Sequence, residues 1–185
     1  VERATVKYPD CAEFGIPPNK DRFEAQVAFA WDEQNLYFTA DVKEDELVCE
    51  AKADEVYKDD AVELFIDPFN DGLVWGDARD FQIGISPGGP DGKPQIYAWF
   101  QKTAPAGAEV ASKLEESPAG AGYVLEVKIP WAFLGVTNPA AGRSICASPA
   151  FHTVNKARTS SAKINWSYIA NFEKIKLGEL KLAQP

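Results

Sequence analysis

The stretch RFEAQVAFAWDEQNLYFTADV, residues 22–42, repeats its apolar positions every second residue. Val27, Phe29 and Trp31 hold one phase, and Leu36, Phe38, Ala40 and Val42 resume it after Asp32-Glu33-Gln34-Asn35. A period of two puts successive side chains on opposite faces of an extended backbone, whereas a helix needs about 3.6. The four residues between the arms are turn formers, so the spacing predicts a β-hairpin.

Shorter runs of the same kind predict strands at 4–8, 46–51, 61–67, 79–86, 94–101, 122–130, 143–151 and 178–184, with Gly and Pro in nearly every gap. SPGGPDGKP at 86–94 reads as a tight connection, and the stretch from Glu109 to Glu116 as a polar segment framed by TAPAGAEV and SPAGAG. Only PWAFLG, at 130–135, looks like a helical turn. The expected fold is therefore all-β: an antiparallel β-sandwich, jelly-roll-like, with one short helical turn. The sequence contains no internal repeat, heptad or long linker, so residues 1–185 are read as one domain. At this length, with 45% hydrophobic residues, such a chain buries roughly 70% of its unfolded surface around one core.

Nineteen basic against twenty-eight acidic residues leave a net charge of -9. That field repels phosphate backbones and anionic headgroups, which argues against nucleic acid and membrane partners and suits a neutral ligand or a divalent cation. No apolar run approaches the roughly 18 residues of a membrane helix. The opening VERATVKYPD is not a signal peptide, and a start at Val1 in a chain without methionine points to a piece of a longer, exported precursor. A secreted location, extracellular or periplasmic, in a monomeric domain of a longer chain is the expectation.

Cys11, Cys49 and Cys146 are far apart and lack the paired spacing of thiolate metal sites. A disulfide with one free thiol and a set of buried thiols both fit this arrangement. His152 is the only histidine, and FHTVN carries no nucleophile elbow, which speaks against a hydrolytic triad. Haem ligation by a methionine–histidine pair is excluded because methionine is absent. Paired carboxylates could in principle cleave glycosides, but their spacing across a sheet is not written in the sequence.

Four blocks in order, AWDEQNLYFTADVKED, VYKDDAVELFIDP, GYVLEVKIPWAFLG and a late Trp166 followed by LGELKL, resemble the family 9 carbohydrate-binding modules from about Val27 to Leu182. The resemblance implies a non-catalytic β-sandwich appended to secreted plant-polysaccharide hydrolases. It also implies sugar rings held between aromatic side chains, often at chain ends, and bound calcium. The family pattern usually has a tryptophan ahead of its D-x-V-E block, where this chain has Tyr57.

A pyranose offers an apolar face of C–H groups and a rim of hydroxyls, so its binder needs a flat aromatic and polar groups in the ring plane. In AVELFID, Val62, Leu64 and Ile66 share one phase, which leaves Glu63 opposite with Phe65 and Asp67. Glu63 is the expected acceptor for sugar hydroxyls, with a solvated outer face as the plainer reading. The resemblance makes Tyr57 one stacking platform and Trp166 the other. Asn165, and more weakly Asn171, add donors and acceptors nearby.

Arg79 and Gln82 open a strand expected beside that of Glu63. Arg79 alternatively forms a surface ion pair with Asp59, Asp60 or Asp80. Trp99 and Trp75 either extend the cleft or cover sheet, whereas Trp31 and Trp131 are assigned to the core. Asp67, Asn70 and Asp71, in IDPFNDG, form a candidate calcium site, with Asx-type turn bonding as the alternative. Hiding about 100 Å² of apolar surface per stacked ring contributes about 2.5 kcal/mol before ordering costs, an affinity between micromolar and millimolar. The competing reading is a structural or protein-interaction sandwich that keeps the family signature without binding sugar.

Overall fold

The computed structural model describes residues 4–8, 12–18, 23–117, 120–166 and 178–181. One antiparallel sheet contains β1 (Ala4–Lys7), β3 (Glu24–Trp31), β4 (Asn35–Glu44), β8 (Glu109–Ser117) and β9 (Gly120–Pro130), in the order β1-β3-β4-β9-β8. The other contains β2 (Ala12–Gly15), β5 (Ala61–Asp67), β6 (Phe81–Ser86), β7 (Gln95–Ala98), β10 (Ser144–Val154), β11 (Ser161–Asn165) and β12 (Gly178–Lys181). Its order is β2-β11-β10-β5-β6-β7, and β12 pairs with β10 on the side that β11 uses. The all-β sandwich read from the sequence is the fold observed.

The hairpin at 24–44 closes where expected. Asp32 Oδ1 accepts the backbone N–H groups of Gln34 and Asn35 at 2.7 Å each, and Trp31 faces Leu36 across the ladder. Val27, Leu36, Phe38, Ala40 and Val42 from this hairpin pack against Val62, Leu64, Ile66, Phe151 and Ile164 of the facing sheet, forming one apolar core. Trp131 is buried in it with its indole N–H donating to the Asp32 carbonyl at 2.9 Å, and Trp31 packs against it. The 130–135 segment is a hydrogen-bonded turn, with Phe133 N–H on the Pro130 carbonyl at 3.0 Å.

The expected strand at 46–51 is not formed. Its amides are taken by side chains instead of a ladder: Val48 N–H donates to Asp60 at 2.6 Å, and Glu50 and Ala51 N–H donate to Asp59 at 2.6 and 2.7 Å. Carboxylates that accept backbone N–H groups offer a segment an alternative to sheet pairing. This pinned loop leads into a 3-10 helix, Ala53–Lys58, which the sequence reading did not anticipate. Conversely, the polar segment from Glu109 is the edge strand β8, whose charged side chains face solvent and which, among the described residues, pairs only with β9. β2 and β11 were also unanticipated. β6 begins at Phe81 and β7 ends at Ala98, both shorter than expected, whereas β10 runs on to Val154.

Candidate binding site

The alternation in β5 sends Val62, Leu64 and Ile66 into the core and leaves Glu63, Phe65 and Asp67 on the outer face of the seven-stranded sheet. That face is not solvated there: Glu63 and Phe65 are each only 2% exposed. Register supplies the company. Gln82 lies opposite Phe65 on β6, and Gly84 opposite Glu63. On the other flank, Ala150 pairs with Glu63 and His152 with Ala61, and β11 then sets Asn165 beside Ala150 and Lys163 beside His152.

Three side chains converge on Glu63. Gln82 Nε2 donates to Oε1, while His152 Nε2 and Lys163 Nζ each lie 2.8 Å from Oε2. Burial alone would raise the Glu63 carboxyl, but the His152 hydrogen bond and the Lys163 charge outweigh it and hold the group at about 2, fully ionised. Oε2 is thereby saturated, and Oε1 retains one lone pair for another donor among the described residues. Lys163 Nζ also sits 5.0 Å over the Phe65 ring.

Aromatics stand on either side of this polar centre. Trp99 lies over Gly84, where a methyl group would overlap its ring, and its indole N–H donates to the Asp54 carbonyl at 2.9 Å. Tyr57, presented by the 3-10 helix and 48% exposed, meets Trp99 edge-on at 6.1 Å between ring centroids. On the Phe65 side, Trp75 is 55% exposed and packs 6.4 Å from Phe65 and 5.2 Å from Phe100. The result is a buried, charge-fixed polar patch bordered by exposed rings, able to stack a sugar face and bond its hydroxyls.

The structure thus brings Tyr57, Glu63, Gln82, Trp99 and Asn165 onto one side of one sheet. Trp166 instead packs against the core cluster, in the phase of Ile164 rather than of Asn165. Arg79 is on the turn before β6, 63% exposed, paired with Asp71 at 3.0 Å and near Asp77 at 3.9 Å; the ion-pair alternative describes its position, with different partners. Asn171 lies outside the described residues, as does Cys11. Cys49 and Cys146 are both thiols. Sequence reasoning missed His152 and Lys163 as members of the cluster.

The acidic turn differs from expectation in one member. Asn70 accepts from the Cys146 thiol at 2.8 Å, and Asp80 takes its place: oxygens of Asp67, Asp71 and Asp80 lie within 4.8 Å of one another. Asp67 accepts Phe69 and Gly72 N–H, and Asp80 accepts Val74 N–H at 2.6 Å, which fixes both carboxylates. Burial, followed by the charges of Asp67, Asp77 and Asp71, raises the Asp80 carboxyl.

A two-sheet sandwich with an aromatic-rimmed polar patch is the architecture of a carbohydrate-binding module. The family model described as carbohydrate family 9 binding domain-like matches residues 5–183, and the chain belongs to this non-catalytic family. Among solved structures, a family 9 carbohydrate-binding module from Caldicellulosiruptor kristjanssonii in complex with cellotriose superposes with a TM-score of 0.68 at 18% identity, covering 95% of this chain and 85% of that one. The same organism's module in complex with glucose gives 0.64 at 19% identity, covering 95% and 87%. A protein of Bacteroides uniformis gives 0.63 at 16% identity, covering 98% and 86%. No curated protein sequence matches the chain.

Proposed function

We propose that this domain binds a neutral plant-type glycan on the outer face of its seven-stranded sheet, with Tyr57 and Trp99 as the stacking surface and the Glu63 cluster as the hydroxyl-binding centre. The observation that carries this reading is the Glu63 carboxylate, 2% exposed on an outer sheet face and held by Lys163, His152 and Gln82, beside the half-exposed rings of Tyr57 and Trp75. A plain solvated face has no reason to sequester a carboxylate, an ammonium and an imidazole together, because burying charges costs several kcal/mol per ion. β-1,4-linked glucose oligomers are the first ligands to test, since the Caldicellulosiruptor module holds cellotriose, and xylan oligomers the second. The domain is read as part of a longer secreted protein, where such polymers are encountered.

The test is calorimetric titration with glucose, cello-oligosaccharides and xylo-oligosaccharides, with tryptophan fluorescence followed in parallel. Saturable binding in the micromolar to millimolar range that Tyr57→Ala weakens by about tenfold supports the reading. A folded domain silent to the whole panel would instead be a structural or protein-interaction sandwich.

We further propose calcium at Asp67, Asp71 and Asp80. Three hard oxygen donors converge there and suit that cation, whose charge would oppose the burial and the neighbouring carboxylates that together raise Asp80.

A further inference from the structure

The outer face of the five-stranded sheet carries a trough of about 600 Å³ crossing β3, β4, β9 and β8. Its floor is the register row Ala28–Thr39–Glu126–Ala111, and its wall the row Ala30–Tyr37–Lys128–Glu109. Ala28 faces outward yet is only 5% exposed, and it lines the trough, so it lies at the bottom of a depression. Exposed antiparallel faces ordinarily carry long polar side chains; small residues on three of the four strands leave backbone and β-carbons as floor.

We infer that this trough is a second glycan site, which takes an internal stretch of a linear neutral polysaccharide; the inference rests on the carbohydrate-binding reading above. Four strands at about 4.8 Å spacing make a trough roughly 15–20 Å long, about three pyranose rings. Tyr37 supplies a rigid platform, because its hydroxyl donates to Asp32 Oδ2 at 2.7 Å and accepts from Asn35 at 3.3 Å, so the ring is held before any ligand arrives. Glu126 offers acceptors on the floor, and the Lys128–Glu109 pair, 2.5 Å apart, offers donor and acceptor together. Carboxylates at this face turn away polyanions such as pectic chains and leave neutral glucans as the complementary class. A volume of about 600 Å³ falls in the range of small-ligand sites. It lies on the opposite side of the sandwich from Glu63, so ligand at one site does not obstruct the other.

The test uses affinity electrophoresis in hydroxyethylcellulose, together with methyl NMR of Ala28, Ala30 and Ala111 during titration with cellohexaose. Tyr37→Ala, and Ala111→Arg as a substitution at an exposed position, should each weaken retardation by about tenfold, and the three alanine methyls should shift saturably. Tyr57→Ala should retain the residual retardation that the double variant Tyr57→Ala/Tyr37→Ala loses. Unmoved alanine methyls, with retardation abolished by Tyr57→Ala alone, would overturn the second site and leave the first standing. No retardation of the wild-type protein would overturn both.

Discussion

The indole of Trp99 fills the space in which residue 84 would carry its β-carbon, so the glycine and the tryptophan are steric complements. Gly84 also faces Val56 of the 3-10 helix at the same point. Gly84→Ala should therefore displace Trp99, and with it the edge contact to Tyr57, without altering any charge. The expected outcome is a loss of oligosaccharide affinity of about tenfold, read by calorimetry, with a shifted tryptophan emission spectrum and a retained fold by circular dichroism.

Glu63→Gln removes the carboxylate that both Lys163 and His152 contact. Stripping one partner from a buried ion pair costs about 3 kcal/mol, and Glu63→Gln/Lys163→Met should recover part of that loss in urea unfolding. The carboxyl is held at about 2 when folded against an ordinary 4.5. Its contribution is thus fully present above pH 4.5 and should disappear as pH falls toward 2.

The buried carboxyl pair of Glu44 and Asp60 behaves oppositely. Burial raises Asp60 from 3.8 to about 7, and burial together with the Asp60 charge raises Glu44 well above 4.5. The folded state therefore holds these protons more tightly than the unfolded chain, and stability should fall as pH rises from about 4 through 7. Glu44→Gln keeps an acceptor for the Thr153 hydroxyl and removes one charge. Its unfolding midpoint should exceed that of the wild type at pH 8 and approach it at pH 5.

Calcium at the acidic turn should raise the melting temperature in millimolar metal, with the effect reversed by chelation. A ligand held only by the native state stabilises by about 2.7 kcal/mol at a hundredfold excess over its Kd. Asp80→Asn should abolish the calcium response in differential scanning calorimetry while leaving glycan affinity in calcium-free buffer unchanged.

The hairpin and the outward phase of Glu63 were legible because a period of two is local information. What surrounds Glu63 was not, because register is a long-range property. His152 reaches it only because β10 continues past Phe151, and Lys163 only through β11, a strand too short to announce itself. A lysine between Ala162 and Ile164, both buried, was the available hint of an outward position on a covered face. The 46–51 segment reads as a strand by composition, and the consecutive carboxylates of Asp59 and Asp60 overrode it by taking its amides. Asp80 entered the acidic cluster because Ile66 pairs with Phe81, which brings Asp67 and Asp80 together at the end of the β5–β6 ladder, and no spacing within IDPFNDG could reveal that.

β10 is bordered along one side by two separate strands, β12 through four register pairs at Ser144–Ala147 and β11 through five at Ala150–Val154. Mechanically, these are independent seams in series along one rail. The register that sets Lys163 and Asn165 beside Glu63 therefore runs through β11 and β5 and not through β12, so a change confined to the Ser144–Ala147 seam leaves the Glu63 cluster its neighbours.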